Sequence, residues 1–94
     1  MARPPIHPGS VLNDELVELN LTASALARHI NVPTNRITQI IQGKRTITGD
    51  TALRLGHWFG NSAQFWINLQ SQYDLRIADA EAGKEVQKLP TRAA

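Results

Sequence analysis

Two short amphipathic segments joined by a tight polar turn constrain the fold of this chain more than any other feature. Apolar residues recur at helical spacing in both segments, at Leu26, Ala27 and Ile30 in the first and at Ile37, Ile40 and Ile41 in the second. Thr22 is a suitable N-cap for the first helix. Asn31 tolerates the left-handed backbone that a tight turn requires, and Gly43 is typical of the position after a helix. Residues 21–45 are therefore predicted to form a helix-turn-helix.

The rest of the chain is also predicted to be helical. We divide the chain into an extended, proline-rich N-terminal arm (residues 1–9), a helix-turn-helix domain (residues 10–76) and a C-terminal helical extension with a frayed tail (residues 77–94). Because no segment shows the alternating pattern of a strand, the predicted fold class is all-α, a bundle of five helices.

Cap residues indicate where the flanking helices begin and end. Ser10 is the expected N-cap of the first helix, and Gly60 is expected to end the fourth. The fourth helix has Thr48 or Asp50 as its expected cap, and the fifth has Asn61 or Ser62. Apolar side chains expected to face the core of these three helices are Leu12, Leu16, Leu19, Ala52, Leu53, Leu55, Phe59, Phe65, Trp66, Leu69 and Tyr73.

Composition excludes several classes of function. Hydrophobic residues make up 41% of the chain, which suffices for one compact core, and cysteine is absent, so the chain has neither disulfides nor thiolate metal ligands. The three histidines form no ligand set with nearby acids, so we expect no metal and no cofactor. No nucleophile lies beside a base, and we predict no enzymatic activity. The chain has no apolar run of membrane-spanning length, and we expect a cytoplasmic protein that does not contact membranes.

The distribution of charge indicates a polyanionic partner more clearly than the total does. The formal net charge is only +2. No acidic residue lies between Glu18 and Asp50, however, and this window holds four cations, which are Arg28, Arg36, Lys44 and Arg45. A cationic segment that coincides with a helix-turn-helix favours nucleic acid as the partner.

The polar face of the second motif helix is the predicted reading surface for DNA. In this motif the N-terminal part of the second helix enters the major groove, where amides and guanidinium groups pair with base edges. Residues predicted to contact bases are Thr34, Asn35, Arg36, Thr38 and Gln39. Residues predicted to contact phosphates are Thr22, Gln42, Lys44 and Arg45. Arg36 is equally suited to a base or a phosphate, and the alternative for the whole face is an ordinary solvated helix surface.

Aromatic residues concentrate in the second half of the chain. Two tryptophans on consecutive amphipathic helices are more typical of a core or a dimer interface than of a ligand pocket. We assign Trp66 and Tyr73 to a homodimer interface on the helix over residues 62–76, which also contributes to the core. Trp58 is a further candidate for an interface.

The chain resembles the HigA/VapI branch of the XRE (lambda-repressor-like) helix-turn-helix proteins. Matching residues within 7–75 are His7-Pro8-Gly9, Leu21-Thr22, Leu26-Ala27, Val32-Pro33, Asn35-Arg36-Ile37, Gly43-Lys44-Arg45, Ile47-Thr48, Asp50-Thr51-Ala52-Leu53-Arg54-Leu55, Phe59-Gly60, Phe65-Trp66, Asn68-Leu69-Gln70 and Tyr73-Asp74-Leu75. The block over residues 50–75 is the most specific to this branch.

This resemblance implies an antitoxin of a type II toxin–antitoxin module. Such a protein neutralises a RelE-like ribonuclease toxin and, as a homodimer on double-stranded operator DNA, represses its own operon. One alternative is a stand-alone XRE-type repressor without a toxin. A second is a protein-interaction module without DNA binding, which the cationic segment and polar helix face disfavour.

Overall fold

The computed structural model describes residues 4–92, and within this range the chain forms five α-helices and no strand. The helices are α1 (Pro8–Glu18), α2 (Ala23–Ile30), α3 (Thr34–Ile41), α4 (Gly49–Phe59) and α5 (Ala63–Gln87). The predicted all-α bundle is confirmed. Helix α3 packs against α1 and α2, while α5 packs mainly against α4 and more lightly against α1.

Most of the predicted helix boundaries are confirmed by their hydrogen bonds and dihedral angles. Thr22 Oγ1 accepts a hydrogen bond from Ala25 N at 3.0 Å, and Ser62 Oγ accepts one from Phe65 N at 3.0 Å. The two residues that end helices in the left-handed region are Asn31 (φ 57°), after α2, and Gly60 (φ 77°), after α4, while Gly43 (φ 75°) lies two residues beyond α3. Thr48 occupies the N-cap position of α4 but makes no side-chain cap hydrogen bond.

The first helix begins earlier than predicted, because His7 rather than Ser10 is its N-cap. The imidazole Nδ1 of His7 accepts a hydrogen bond from Gly9 N at 2.9 Å, and Pro8 occupies the first helical position, where a missing N–H is tolerated. Burial lowers the pKa of His7 below its ordinary value, against the opposing attraction of Asp74, and so favours the neutral ring that this cap requires. Pro8 and Gly9, assigned to the predicted arm, are instead the first two residues of α1.

A close approach between α1 and α3 explains the glycine at position 9. A Cβ atom built on Gly9 would lie 1.8 Å from the carbonyl oxygen of Ile40 and 3.0 Å from the Cα of Ile41. Any side chain there would overlap backbone atoms at the end of α3. Gly9 therefore sets how closely the first helix approaches the second helix of the motif.

The core lies between the helices, and its largest fully buried side chain is that of Trp66. Eleven hydrophobic residues among residues 4–92 form this cluster, which are Leu12, Leu16, Leu26, Ala27, Ile30, Ile37, Ile40, Ile47, Ala52, Leu55 and Trp66. Three predicted core residues are instead exposed. They are Leu19 (50% exposed), which is the C-cap residue after α1, Leu53 on α4 (66%) and Phe65 on α5 (41%).

Helix α5 ends at Gln87, within the predicted extension, and it crosses residue 76 without a break. The division into a domain over 10–76 and an extension over 77–94 therefore stays a prediction. The ends of the predicted arm and tail, residues 1–3 and 93–94, lie outside the described residues. None of the helices within residues 4–92 is long and apolar enough to cross a membrane.

Candidate nucleic-acid interface

Helix α3 has one buried face and one polar face. Ile37 and Ile40 are fully buried beneath it, and this anchoring fixes the orientation of the polar residues. Thr34 and Asn35 are exposed at its N-terminal end, and Gln39 lies half-buried one turn further along. The structure thus places the predicted base-contacting residues on the first two turns of one short helix.

The polar side chains of α3 differ in whether they already make hydrogen bonds or ion pairs within the protein. Within residues 4–92, the amide groups of Asn35 and Gln39 have no side-chain hydrogen-bond partner, which leaves both donors and acceptors free. The Thr38 hydroxyl donates to the carbonyl oxygen of Asn35 at 3.3 Å. Arg36 is held in an ion pair, described below. Asn35 and Gln39 are therefore the side chains best prepared to bind an external partner.

Two cations follow α3 on a connector that we define as residues 42–48. Lys44 and Arg45 are both exposed on it, and Gln42, at the C-cap of α3, is exposed beside them. The backbone N–H of Lys44 donates to the carbonyl oxygen of Gln39 at 2.8 Å, so the connector folds back on the end of the helix. These cations are therefore fixed close to α3 rather than carried on a free loop.

The far end of the connector is anchored in the core. The side chain of Ile47 is 3% exposed, and its backbone N–H donates to Oε1 of Gln70 on α5 at 2.8 Å. Gln70 is itself buried, and its Nε2 donates to Asp74 at 2.9 Å. One buried amide thus satisfies a buried backbone donor and holds the connector in place.

The predicted phosphate contact at Thr22 lies at the N-terminal end of α2. Thr22 is exposed, and its Oγ1 accepts the capping hydrogen bond from Ala25 N, which leaves the hydroxyl proton free to donate. The positive end of the helix dipole at this terminus also favours a phosphate.

Arg36 is paired with an acidic residue that the sequence interpretation did not include in the site. Its Nη1 donates to Oδ2 of Asp50 at 2.9 Å, and Nε of Arg54 donates to the same oxygen at 3.0 Å. Arg54 also donates through Nη1 to the carbonyl oxygen of Ile30 at 2.9 Å. The hydrogen bond from Arg54 lowers the pKa of the Asp50 carboxyl below its ordinary value, and the pairing with Arg36 acts in the same direction. Asp50 is therefore ionised at neutral pH.

The sequence indicates only one of the two pairings in this group, the one between Asp50 and Arg54. Asp50 and Arg54 are four residues apart on one helix, a spacing that typically pairs opposite charges. Arg36 lies on a different helix, and the fold brings its guanidinium within 2.9 Å of Asp50 at the start of α4. That pairing required the tertiary structure.

The assignment of Trp66 to a dimer interface is wrong for its side chain. The indole is fully buried within the single chain, packs against Phe59 and Phe65, and its Nε1 donates to Asn61 at 2.9 Å. No surface of Trp66 is left for a second chain. Tyr73 is half-buried with its ring edge-on to His7 at 4.8 Å, and its role at an interface stays a prediction.

Comparisons with known proteins agree with this architecture. The helix-turn-helix family matches residues 12–65. Virulence-associated protein I of Dichelobacter nodosus is 46% identical over 79 residues, which are 83% of this chain and 73% of that protein.

Two solved structures superimpose on nearly the whole chain. An addiction module antidote protein of the HigA family from Coxiella burnetii has a TM-score of 0.94 and 47% identity, and the match covers 97% of this chain and all of that one. The Pseudomonas aeruginosa antitoxin HigA, solved with the higBA promoter, has a TM-score of 0.89 and 43% identity over 95% of this chain and 99% of that one. The chain therefore belongs to the XRE helix-turn-helix family, and its structural neighbours are HigA-family antitoxins.

Proposed function

We propose that this protein binds a specific double-stranded operator through α3 and the connector. The observation that carries the proposal is the polar face of α3, with Asn35 and Gln39 available to a partner, beside the two exposed cations Lys44 and Arg45. Phosphates bound by the connector and by Thr22 would orient the domain, and Asn35 and Gln39 would read base edges in the major groove. Support comes from the relative with 43% identity that was solved with its promoter.

Operator binding is proposed to require a homodimer. One short recognition helix reads only a few base pairs, and two-fold dimers of this motif place their helices about 34 Å apart on successive major grooves. Exposed apolar side chains on α5, such as Leu75 (71% exposed) and Phe65 (41%), offer surface for such a contact together with Tyr73. Sedimentation of the free protein tests this point, and a monomer at the concentrations that bind operator would contradict it.

The protein is further proposed to act as the antitoxin of a type II module that represses its own operon. The family resemblance and the structural likeness to HigA antitoxins support this function over a stand-alone repressor. The test is co-expression with the product of the adjacent gene. Co-purification of a small ribonuclease whose activity is blocked supports the antitoxin role, whereas an adjacent product that neither binds nor cleaves RNA favours the stand-alone repressor.

Replacing Gln39 with alanine should weaken operator binding and relax the preference at one base pair. A glutamine amide that pairs bidentately with adenine contributes about 1–3 kcal/mol of discrimination. The measurement is fluorescence anisotropy on the DNA upstream of the gene and on single-base variants of it. Gln87→Ala, at the far end of α5, is the matched control and should behave as wild type. Unchanged affinity and base preference in Gln39→Ala would show that α3 docks in a different register.

Replacing Lys44 and Arg45 together with alanine should weaken binding to operator and to unrelated DNA alike. Each lost phosphate contact flattens the plot of log affinity against log salt concentration by roughly one unit. Lys84→Ala with Lys88→Ala removes the same charge from the end of α5 and should leave the salt slope unchanged. If both double variants shift the slope equally, the connector is not the phosphate-binding element.

A further inference from the structure

Asp50 is the acidic residue that interrupts the cationic face of the proposed interface. Together with Arg36 and Arg45 it lines one shallow groove between α3, the connector and the start of α4. Its side chain is 56% exposed, so the carboxylate is open to solvent in the groove that Arg45 also lines. A phosphate drawn to Arg45 would therefore also approach this carboxylate.

The carboxylate has a fixed position that does not depend on DNA. Arg54 holds Oδ2 of Asp50 at 3.0 Å and is itself held by the carbonyl oxygen of Ile30 at 2.9 Å. Arg36 reaches the same oxygen at 2.9 Å. Because Arg54 orients Asp50 independently, Arg36 can leave the pair without releasing the carboxylate.

This arrangement acts differently on unrelated DNA and on an operator. Binding to unrelated DNA depends almost entirely on phosphate contacts, and the pairing with Asp50 withholds the Arg36 guanidinium from them. An operator offers base-edge acceptors, to which an arginine pairs bidentately and specifically. The free-energy cost of separating Arg36 from Asp50 is then offset only where Arg36 can pair with the correct base.

We propose that Asp50 is a specificity-determining residue, which keeps Arg36 from unrelated DNA and so widens the difference in affinity between operator and non-operator sequences. This inference rests on the proposed function of operator binding. It assigns Asp50 a role in discrimination, although it need not touch the DNA. A purely structural role in joining α3 to α4 would instead make its removal weaken all binding.

The test compares wild type with Asp50→Asn, which keeps the shape and the acceptor oxygen but removes the charge. Affinities are measured across a salt series for the upstream duplex and for a duplex of the same length and scrambled sequence. Asp50→Asn should bind the scrambled duplex roughly fivefold more tightly, with a salt slope steeper by about one unit, the expectation for one freed surface charge. Operator affinity should rise less, so that the ratio of the two affinities falls.

A second variant separates the release of Arg36 from a general loss of negative charge. In Arg36→Gln/Asp50→Asn, the gain on scrambled DNA should disappear, whereas in Glu81→Gln, which removes an exposed acid from α5, no gain should be seen. Circular dichroism establishes that each variant is folded, and Asp50→Ser replaces Asp50→Asn if the latter is not. Unchanged or weaker binding of scrambled DNA by a folded Asp50 variant overturns the proposal, as does a gain that persists without Arg36. If the wild-type protein binds both duplexes with equal affinity, the proposed function of operator binding is contradicted. This outcome depends on the wild-type measurements alone and is therefore distinct from a failure of the Asp50 proposal.

Discussion

Replacing Trp66 with alanine is expected to lower the free energy of unfolding by about 3–5 kcal/mol, the usual cost of truncating a large buried aromatic side chain. The indole is fully buried against Phe59 and Phe65, and its removal also leaves Asn61 without its partner. Native proteins are commonly stable by about 5–15 kcal/mol, so this substitution should remove a large share of the total stability. Urea titration followed by circular dichroism measures the change.

The neighbouring aromatic residue provides the control for this experiment. Phe65 is 41% exposed on the same helix turn, and Phe65→Ala should cost much less than Trp66→Ala. Equal losses in the two variants would mean that the core is not centred on Trp66. A folded Trp66→Ala dimer of wild-type stability would be inconsistent with the packing described above.

Replacing Gly9 with alanine is expected to destabilise the protein by about 3 kcal/mol or more, at the upper end of the range for overpacking. The added methyl group would meet the backbone of Ile40, 1.8 Å away, and a backbone atom at a helix end yields less readily than a side chain. Helix α1 must therefore move away from α3. Because α1 supports the buried side of α3, the variant should also bind operator less tightly.

Gly49 offers a matched control, since it lies in the first turn of α4 as Gly9 lies in the first turn of α1. No atom lies within 4 Å of a Cβ built there. Gly49→Ala should be neutral or slightly stabilising, because alanine has less conformational freedom to lose on folding. Thermal melts of both variants compare them directly. Similar melting temperatures for Gly9→Ala and wild type would show that α1 and α3 are farther apart than described.

The helix-turn-helix was predictable because its determinants are local. The Thr22 cap, the left-handed Asn31 and the buried stripe of Ile37 and Ile40 each depend on residues within a few positions, and all are present in the structure. The error at the first cap is also instructive. Serine is a common N-cap, and a histidine that accepts through Nδ1 is not, so Ser10 was favoured over His7.

Burial was harder to predict where helix periodicity leaves two adjacent choices. Phe65 and Trp66 are neighbours, and both fit an amphipathic helix, yet one is exposed and the other is at the centre of the core. The difference depends on where α4 contacts α5, which periodicity within one helix does not specify. The pairing of Arg36 with Asp50 was unpredictable for the same reason, because it depends on how two helices are placed in space.

The hydrogen bond between Ile47 and Gln70 has a consequence for the order in which the molecule gains structure. Its partners are 23 residues apart, so closing this contact costs chain entropy that the packing of α5 must offset. The helices α2 and α3 are close in sequence and have no such requirement. The hydrogen bond from Lys44 to Gln39 can form with α3 alone. The far end of the connector, at Ile47, is anchored only when α5 docks, so the opening and closing of that end belong to the same cooperative unit as α5, although in sequence it adjoins the motif.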